Sequence, residues 1–135
     1  EMLKQLSIYA ENKKGALQAL TNALYEAGIN IWGSVTNDGA EYGINRMVVS
    51  DPDKAKEVLT EKGYLCRFVD VLAVEIEDKP GALNTLLTAL LDSNVNVDYT
   101  YLSFNRDSST PVMIMHTADP EEVELCLKAK GFKMC

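Results

Sequence analysis

Two seven-residue stretches carry residue types suited to holding a small charged molecule: Glu11-Asn12-Lys13-Lys14-Gly15-Ala16-Leu17 and Glu77-Asp78-Lys79-Pro80-Gly81-Ala82-Leu83. Each follows an alternating apolar segment and opens a leucine-rich one, which predicts a strand-to-helix corner. A helix N-terminus offers N–H groups and a partial positive charge, a natural seat for a carboxylate. Gly15 and Gly81 would let a ligand approach the backbone with no Cβ in the way. Asn12 and Asp78 supply oxygens that could hold an ammonium group or cap the helix. One such corner reads better as architecture, with Gly relieving strain and Asn or Asp merely capping; two of them ask for more.

The two corners are equivalent because the chain is one unit written twice. At an offset of 66, ten of the 25 positions from 6 to 30 are identical, where average usage gives about one or two. The identities include Glu11/Glu77, Lys13/Lys79, Gly15-Ala16-Leu17/Gly81-Ala82-Leu83 and Asn30/Asn96. Later the offset becomes 68, and Asp51-Pro52 meets Asp119-Pro120 while Lys62-Gly63 meets Lys130-Gly131. Asn30 and Asn96 sit between β-branched residues, where an amide is costly in a strand unless it has a partner.

Each copy reads as strand, helix, strand, strand, helix, strand. In the first, Leu6, Ile8 and Ala10 alternate, and Leu17, Leu20, Leu24 and Ala27 fall on one helical face stopped by Gly28. Ile29–Thr36 and Tyr42–Ser50 read as strands around the turn signal Asn37-Asp38-Gly39, Asp51-Pro52 caps a second helix, and Tyr64–Val69 closes the unit. The second copy runs through Val71–Glu77, Gly81–Asp92, Val95–Phe104, Pro111–Thr117 and Asp119–Lys130, with a last strand that stops soon after Phe132. Its polar loop from Asn105 to Thr110 reads as a mobile turn. The expected fold is α+β: two ferredoxin-like βαββαβ units, residues 1–69 and 70–135, with sheets side by side as one eight-stranded sheet and helices on one face.

Composition narrows the function classes. The chain has 135 residues, 47% hydrophobic and 24% charged, with a net charge of -7, which disfavours nucleic acid and anionic membranes as partners. No apolar run approaches ~20 residues and no charged-then-apolar leader opens the chain, so a cytoplasmic protein is expected, with Glu1 left out of the fold argument. Three cysteines without a CxxC pair suggest neither a disulfide framework nor a metal site, and Cys66 and Cys126 read as buried reduced thiols. The sequence has no GxSxG, phosphate-binding loop, HExxH or dinucleotide glycine fingerprint, and its one histidine, His116, has no evident nucleophile to activate. No catalysis, metal or cofactor is expected. Trp32, Tyr99 and Tyr101 either wall a ligand pocket or seal a contact between units or chains, and Arg46 reads as a rim charge.

The corner pattern, the leucines after it, and Gly28-Ile29-Asn30-Ile31 with Asn94-Val95-Asn96-Val97 resemble the ACT domain family, one unit per repeat over essentially the whole chain. The chain is especially similar to stand-alone two-ACT proteins of bacteria, which share the stretch Tyr42-Gly43-Ile44-Asn45-Arg46 ahead of Ser50-Asp51-Pro52-Asp53. The resemblance implies ferredoxin-like regulatory modules that bind free amino acids where two units meet. It places ligand-binding residues at Asn12, Lys14, Gly15, Ala16, Leu17 and Asn30, and at Asp78, Pro80, Gly81, Ala82, Leu83 and Asn96. Lys14 stands where the family usually has proline. Asp78 suits an ammonium group and Lys14 a carboxylate, so one or both sites could be filled. The leading expectation is an amino-acid sensor that forms a homodimer through its remaining exposed edges or helix faces; the alternative is a regulatory subunit of a metabolic enzyme, since the small subunit of acetolactate synthase opens with a similar corner.

Overall fold

The computed structural model describes residues 2–37 and 42–135, so Asp38 and Gly39 of the expected turn lie outside the described residues. The elements are β1 (Leu3–Glu11), α1 (Ala16–Glu26), β2 (Ile31–Asn37), β3 (Tyr42–Val49), α2 (Pro52–Glu61), β4 (Leu65–Glu75), α3 (Ala82–Asp92), β5 (Val97–Phe104), β6 (Pro111–Thr117) and α4 (Pro120–Ala129). Two compact units result, Lys4–Val69 and Asp70–Cys135, with Met2 and Leu3 grouped with the second.

The first unit folds around one apolar face of its sheet. β1 pairs antiparallel with β3 (Leu6 opposite Met47, Ile8 opposite Asn45), and β2 pairs with the other edge of β3 (Thr36 opposite Asn45). Residues directly opposite share a face, so Leu6, Ile8, Met47 and Val49 meet Leu20, Ala23 and Leu24 of α1 and Ala55 and Leu59 of α2. The helical spacing of those leucines is what turns α1 onto the sheet. Asp51 caps α2 as expected, its carboxylate accepting from the Lys54 N–H at 3.2 Å.

The second unit repeats this plan. Leu72 and Val74 of β4 face Met115 and Met113 of β6 and pack against Leu86 and Leu90 of α3 and Val123 and Leu127 of α4. β5 pairs with β6, Leu102 opposite Met113 and Tyr99 opposite His116, with a bulge between Val97 and Tyr99. One cap fails to repeat: Asp119 adopts a left-handed conformation (φ 51°) and its side chain makes no cap hydrogen bond.

Among the described residues the expected eight-stranded sheet is corrected to six strands, hydrogen-bonded in the order β2-β3-β1-β4-β6-β5. Two physical causes account for the difference. The stretches Tyr64–Val69 and Val71–Glu77 are not separate strands, because no Gly or Pro interrupts Val69-Asp70-Val71 and the extended chain runs on as β4. The final strand is reduced to a single bridge between Met134 and Val74.

Candidate functional site

The two corners have the same build. Gly15 and Gly81 occupy the N-cap positions of α1 and α3 with φ of 83° and 86°, a left-handed conformation that costs an L-residue with a Cβ about 1–2 kcal/mol. An ideal Cβ at either site would meet nothing within 4 Å, so backbone conformation rather than crowding asks for glycine. In each corner a tight turn precedes the helix: the Ala16 N–H donates to the Lys13 carbonyl at 3.1 Å, and the Ala82 N–H to the Lys79 carbonyl at 3.2 Å. An exposed ion pair recurs as well, Lys13 to Glu11 at 3.2 Å and Lys79 to Glu77 at 2.6 Å. Pairs this exposed contribute little stability. They do occupy Lys13 and Lys79, so the ammonium left at the first corner is that of exposed Lys14.

A groove opens beside each corner, at equivalent places. In the first unit it measures about 210 Å³ and is lined by Asn12, Ala16 and Leu17 with Thr36, Gly43 and Asn45 from β2 and β3. In the second it measures about 370 Å³ and is lined by Asp78, Gly81, Ala82 and Leu83 with Leu102, Phe104 and Pro111 from β5 and β6. Lys14 and Gly15 line an adjoining groove with Tyr64. Pro80, exposed in the Lys79–Gly81 turn, shapes the second corner without lining its groove.

Asn30 and Asn96 stand elsewhere in their units. Asn30 precedes β2, its backbone exchanging 2.9 Å hydrogen bonds with the Ser50 N–H and Oγ. The corner lies level with Tyr42 at the opposite end of β3, eight residues or about 26 Å away at ~3.3 Å per residue. Asn96 precedes β5, near Thr117, while its own corner adjoins Pro111 at the other end of β6. No unit brings its own corner and asparagine together.

The Asn96 end carries a network that sequence reasoning missed. The Asn96 Nδ2 donates to Asp98 Oδ1 at 3.2 Å, Asp98 Oδ2 lies 2.8 Å from His116 Nδ1, and the His116 ring stacks on Tyr99 with centroids 5.0 Å apart. The bulge at Val97/Tyr99 sets this register; Asp98 two residues beyond Asn96 was the available signal. Tyr99, Tyr101 and Trp32 do not line either corner groove. Tyr99 and Tyr101 face away from the helices with His116 and Ile114, and Tyr101 is buried. Arg46 is half-buried.

The loop read as a mobile turn is tied down. Asn105 Oδ1 accepts from the Asp107 and Ser108 N–H groups at 2.9 and 3.3 Å, and its Nδ2 donates to Glu75 Oε1 at 3.0 Å. Glu75, whose side chain is 8% exposed, also pairs with Lys133 at 3.1 Å. All three cysteines are free thiols. Cys66 is buried as expected; Cys126 is only half-buried, its Sγ donating to Ser93 Oγ at 3.2 Å. Burial raises the Cys66 thiol above its ordinary value, and burial followed by the Glu75 charge raises Cys135. Among the described residues no three metal-ligating side chains gather, and no helix is long and apolar enough to cross a membrane.

The chain is similar in structure to a Bacteroides thetaiotaomicron protein at 30% sequence identity, with a TM-score of 0.90 over 99% of this chain and 92% of that one. It shares its fold with the regulatory subunit of aspartate kinase from Thermus thermophilus (17% identity, TM-score 0.67, 93% of this chain and 88% of that one). The corresponding subunit from Thermus flavus gives 19% identity and a TM-score of 0.61 over 94% of this chain and 90% of that one. No curated protein matches the chain. The family model for an ACT domain pair matches residues 2–132, and the chain therefore belongs to the ACT domain pair family.

Proposed function

We propose that this ACT pair is a non-catalytic regulatory module that binds a free amino acid at its glycine corners. The observation that carries the reading is the recurrence, in two units with diverged sequences, of a groove beside a left-handed N-cap glycine. The ligand carboxylate meets N–H groups of the first turn of α1 or α3, after Gly15 or Gly81. Its ammonium group meets Asp78 or Asn12. Asn30 and Asn96, far from the corner of their own unit, take part only where the partner of a homodimer supplies the corner. Binding shifts the population of states, and that shift is the signal.

A thermal-shift screen against the twenty amino acids at millimolar concentration tests this. A ligand at about 100 times its Kd adds about 2.7 kcal/mol, which raises Tm by several degrees. One responder, or a chemically related group, supports the reading; no response from any of the twenty refutes it.

A second reading, as a regulatory subunit of a metabolic enzyme, is favoured by one feature. Leu83, Leu87 and Leu91 lie exposed along α3, where α1 has Leu17, Thr21 and Tyr25. Stoichiometric co-purification of such an enzyme with the tagged chain supports that reading.

A further inference from the structure

The two grooves are equivalent in position and differ in what the strands contribute: Thr36, Gly43 and Asn45 in the first, Leu102, Phe104 and Pro111 in the second. In the first unit Asn45 is 2% exposed, yet it lies on the helix-facing side of the sheet, opposite Ile8 and Thr36. Its Nδ2 donates to Thr36 Oγ1 at 2.8 Å and to Ser34 Oγ at 3.1 Å, and its Oδ1 has a long 3.4 Å contact with the Ser34 hydroxyl. Asn45 and Thr36 both line the first groove. In the second unit the same register positions are Met113 and Leu102, with Thr100 in place of Ser34. There Leu102 and Phe104 line the groove and are 50% and 54% exposed.

A buried amide is expensive where an apolar residue fits, and the second unit shows that the fold accepts methionine at this position. An asparagine amide offers two N–H donors and two acceptor sites. Here the two hydroxyls take the donors, and among the described residues the Oδ1 capacity is met only by the long contact. The strands of the second groove instead present exposed leucine and phenylalanine side chains to water.

We infer that the two corners select different ligand side chains. The first takes a small side chain with a hydrogen-bond donor, such as that of serine, threonine or asparagine, held against Asn45 and Thr36. The second takes an apolar side chain, such as that of leucine, methionine or phenylalanine, seated on Leu102 and Phe104. This rests on the amino-acid-binding reading and goes beyond it by assigning selectivity to residues on the second and third strands of each unit.

The test is calorimetric titration of the full chain with these six amino acids, for the wild type, Asn45→Met and Leu102→Thr. Asn45→Met installs the residue that the second unit already carries, and its Tm is expected to equal or exceed that of the wild type. It should weaken binding of the polar group at least tenfold and leave the apolar group within twofold. Leu102→Thr should do the reverse, and Thr36→Val checks the first groove by removing the 2.8 Å acceptor of the Asn45 Nδ2 while leaving the amide itself in place. Retention of the polar ligands by both Asn45→Met and Thr36→Val overturns the inference, as does a wild type that binds only one of the two groups. If no amino acid binds the wild type at all, the reading beneath it fails together with the inference. A selectivity that does not respond to the variants overturns the inference and leaves that reading standing.

Discussion

Replacing the corner glycines by aspartate separates the role of the backbone from that of the ligand seat. Gly15 and Gly81 have φ of 83° and 86°, and a Cβ at either site meets nothing within 4 Å. The folding cost is therefore conformational, about 1 kcal/mol, since Asp and Asn tolerate the left-handed region better than other residues. A carboxylate at a helix N-terminus returns about 0.3–1 kcal/mol of this, so each variant should fold with a Tm within about 4 °C of the wild type. The effect on binding is larger. Two unit charges ~5 Å apart repel by about 1–3 kcal/mol at effective dielectric constants between those of water and a protein surface, a roughly ten- to hundredfold loss of affinity for an amino-acid carboxylate. Gly→Asn at the same positions keeps the shape without the charge and should bind within a few-fold of the wild type. The assay is calorimetry with whichever amino acid raises Tm, beside urea denaturation of each variant. Equal affinity in wild type and Gly15→Asp/Gly81→Asp refutes the helix N-terminus as the carboxylate seat; equal losses in the Asp and Asn variants refute the electrostatic account.

Three further outcomes follow from the packing. Leu59→Ala or Leu86→Ala deletes a fully buried side chain from one of the two cores and should cost 2–5 kcal/mol by urea denaturation. Asn105→Ala removes one of the two polar partners holding the Glu75 carboxylate, 8% exposed. It should destabilise the chain by about 1–3 kcal/mol, against less than 0.5 kcal/mol for exposed Ser109→Ala. The Cys66 thiol is raised from its ordinary 9.0 by burial, so the fold favours the neutral form. Its contribution is fully present below pH 9 and is lost as pH rises through the folded value. Stability should therefore fall on the alkaline side of pH 9, less steeply in Cys66→Ala, as followed by denaturation from pH 7 to 10.

Much of the fold was legible because the sequence states it twice. Of the helical face predicted from Leu17, Leu20, Leu24 and Ala27, Leu20 and Leu24 are fully buried and Ala27 packs against the core, whereas Leu17, in the first turn of α1, is 50% exposed. Strand count was less legible: a boundary was placed at Asp70 because the repeat demanded one, although an extended backbone needs a turn residue to stop and none is there. The corners were visible as glycine motifs, since a left-handed N-cap leaves a residue-type mark. Asn45 was hidden for another reason. Its role depends on which face of β3 it occupies, and that is fixed by pairing with Ile8 and Thr36 rather than by a local pattern. The Asp98–His116 pair was hidden similarly, because a bulge changes the alternation that sequence reading relies on.

The most direct test of the central claim is to follow the backbone amides of the full chain by two-dimensional NMR while titrating the amino acid that raises Tm. If the glycine corners seat the carboxylate, the largest saturable shifts fall on the amides of Gly15–Leu17, of Gly81–Leu83, or of both. Saturable shifts confined to other residues, with both corners silent, contradict it.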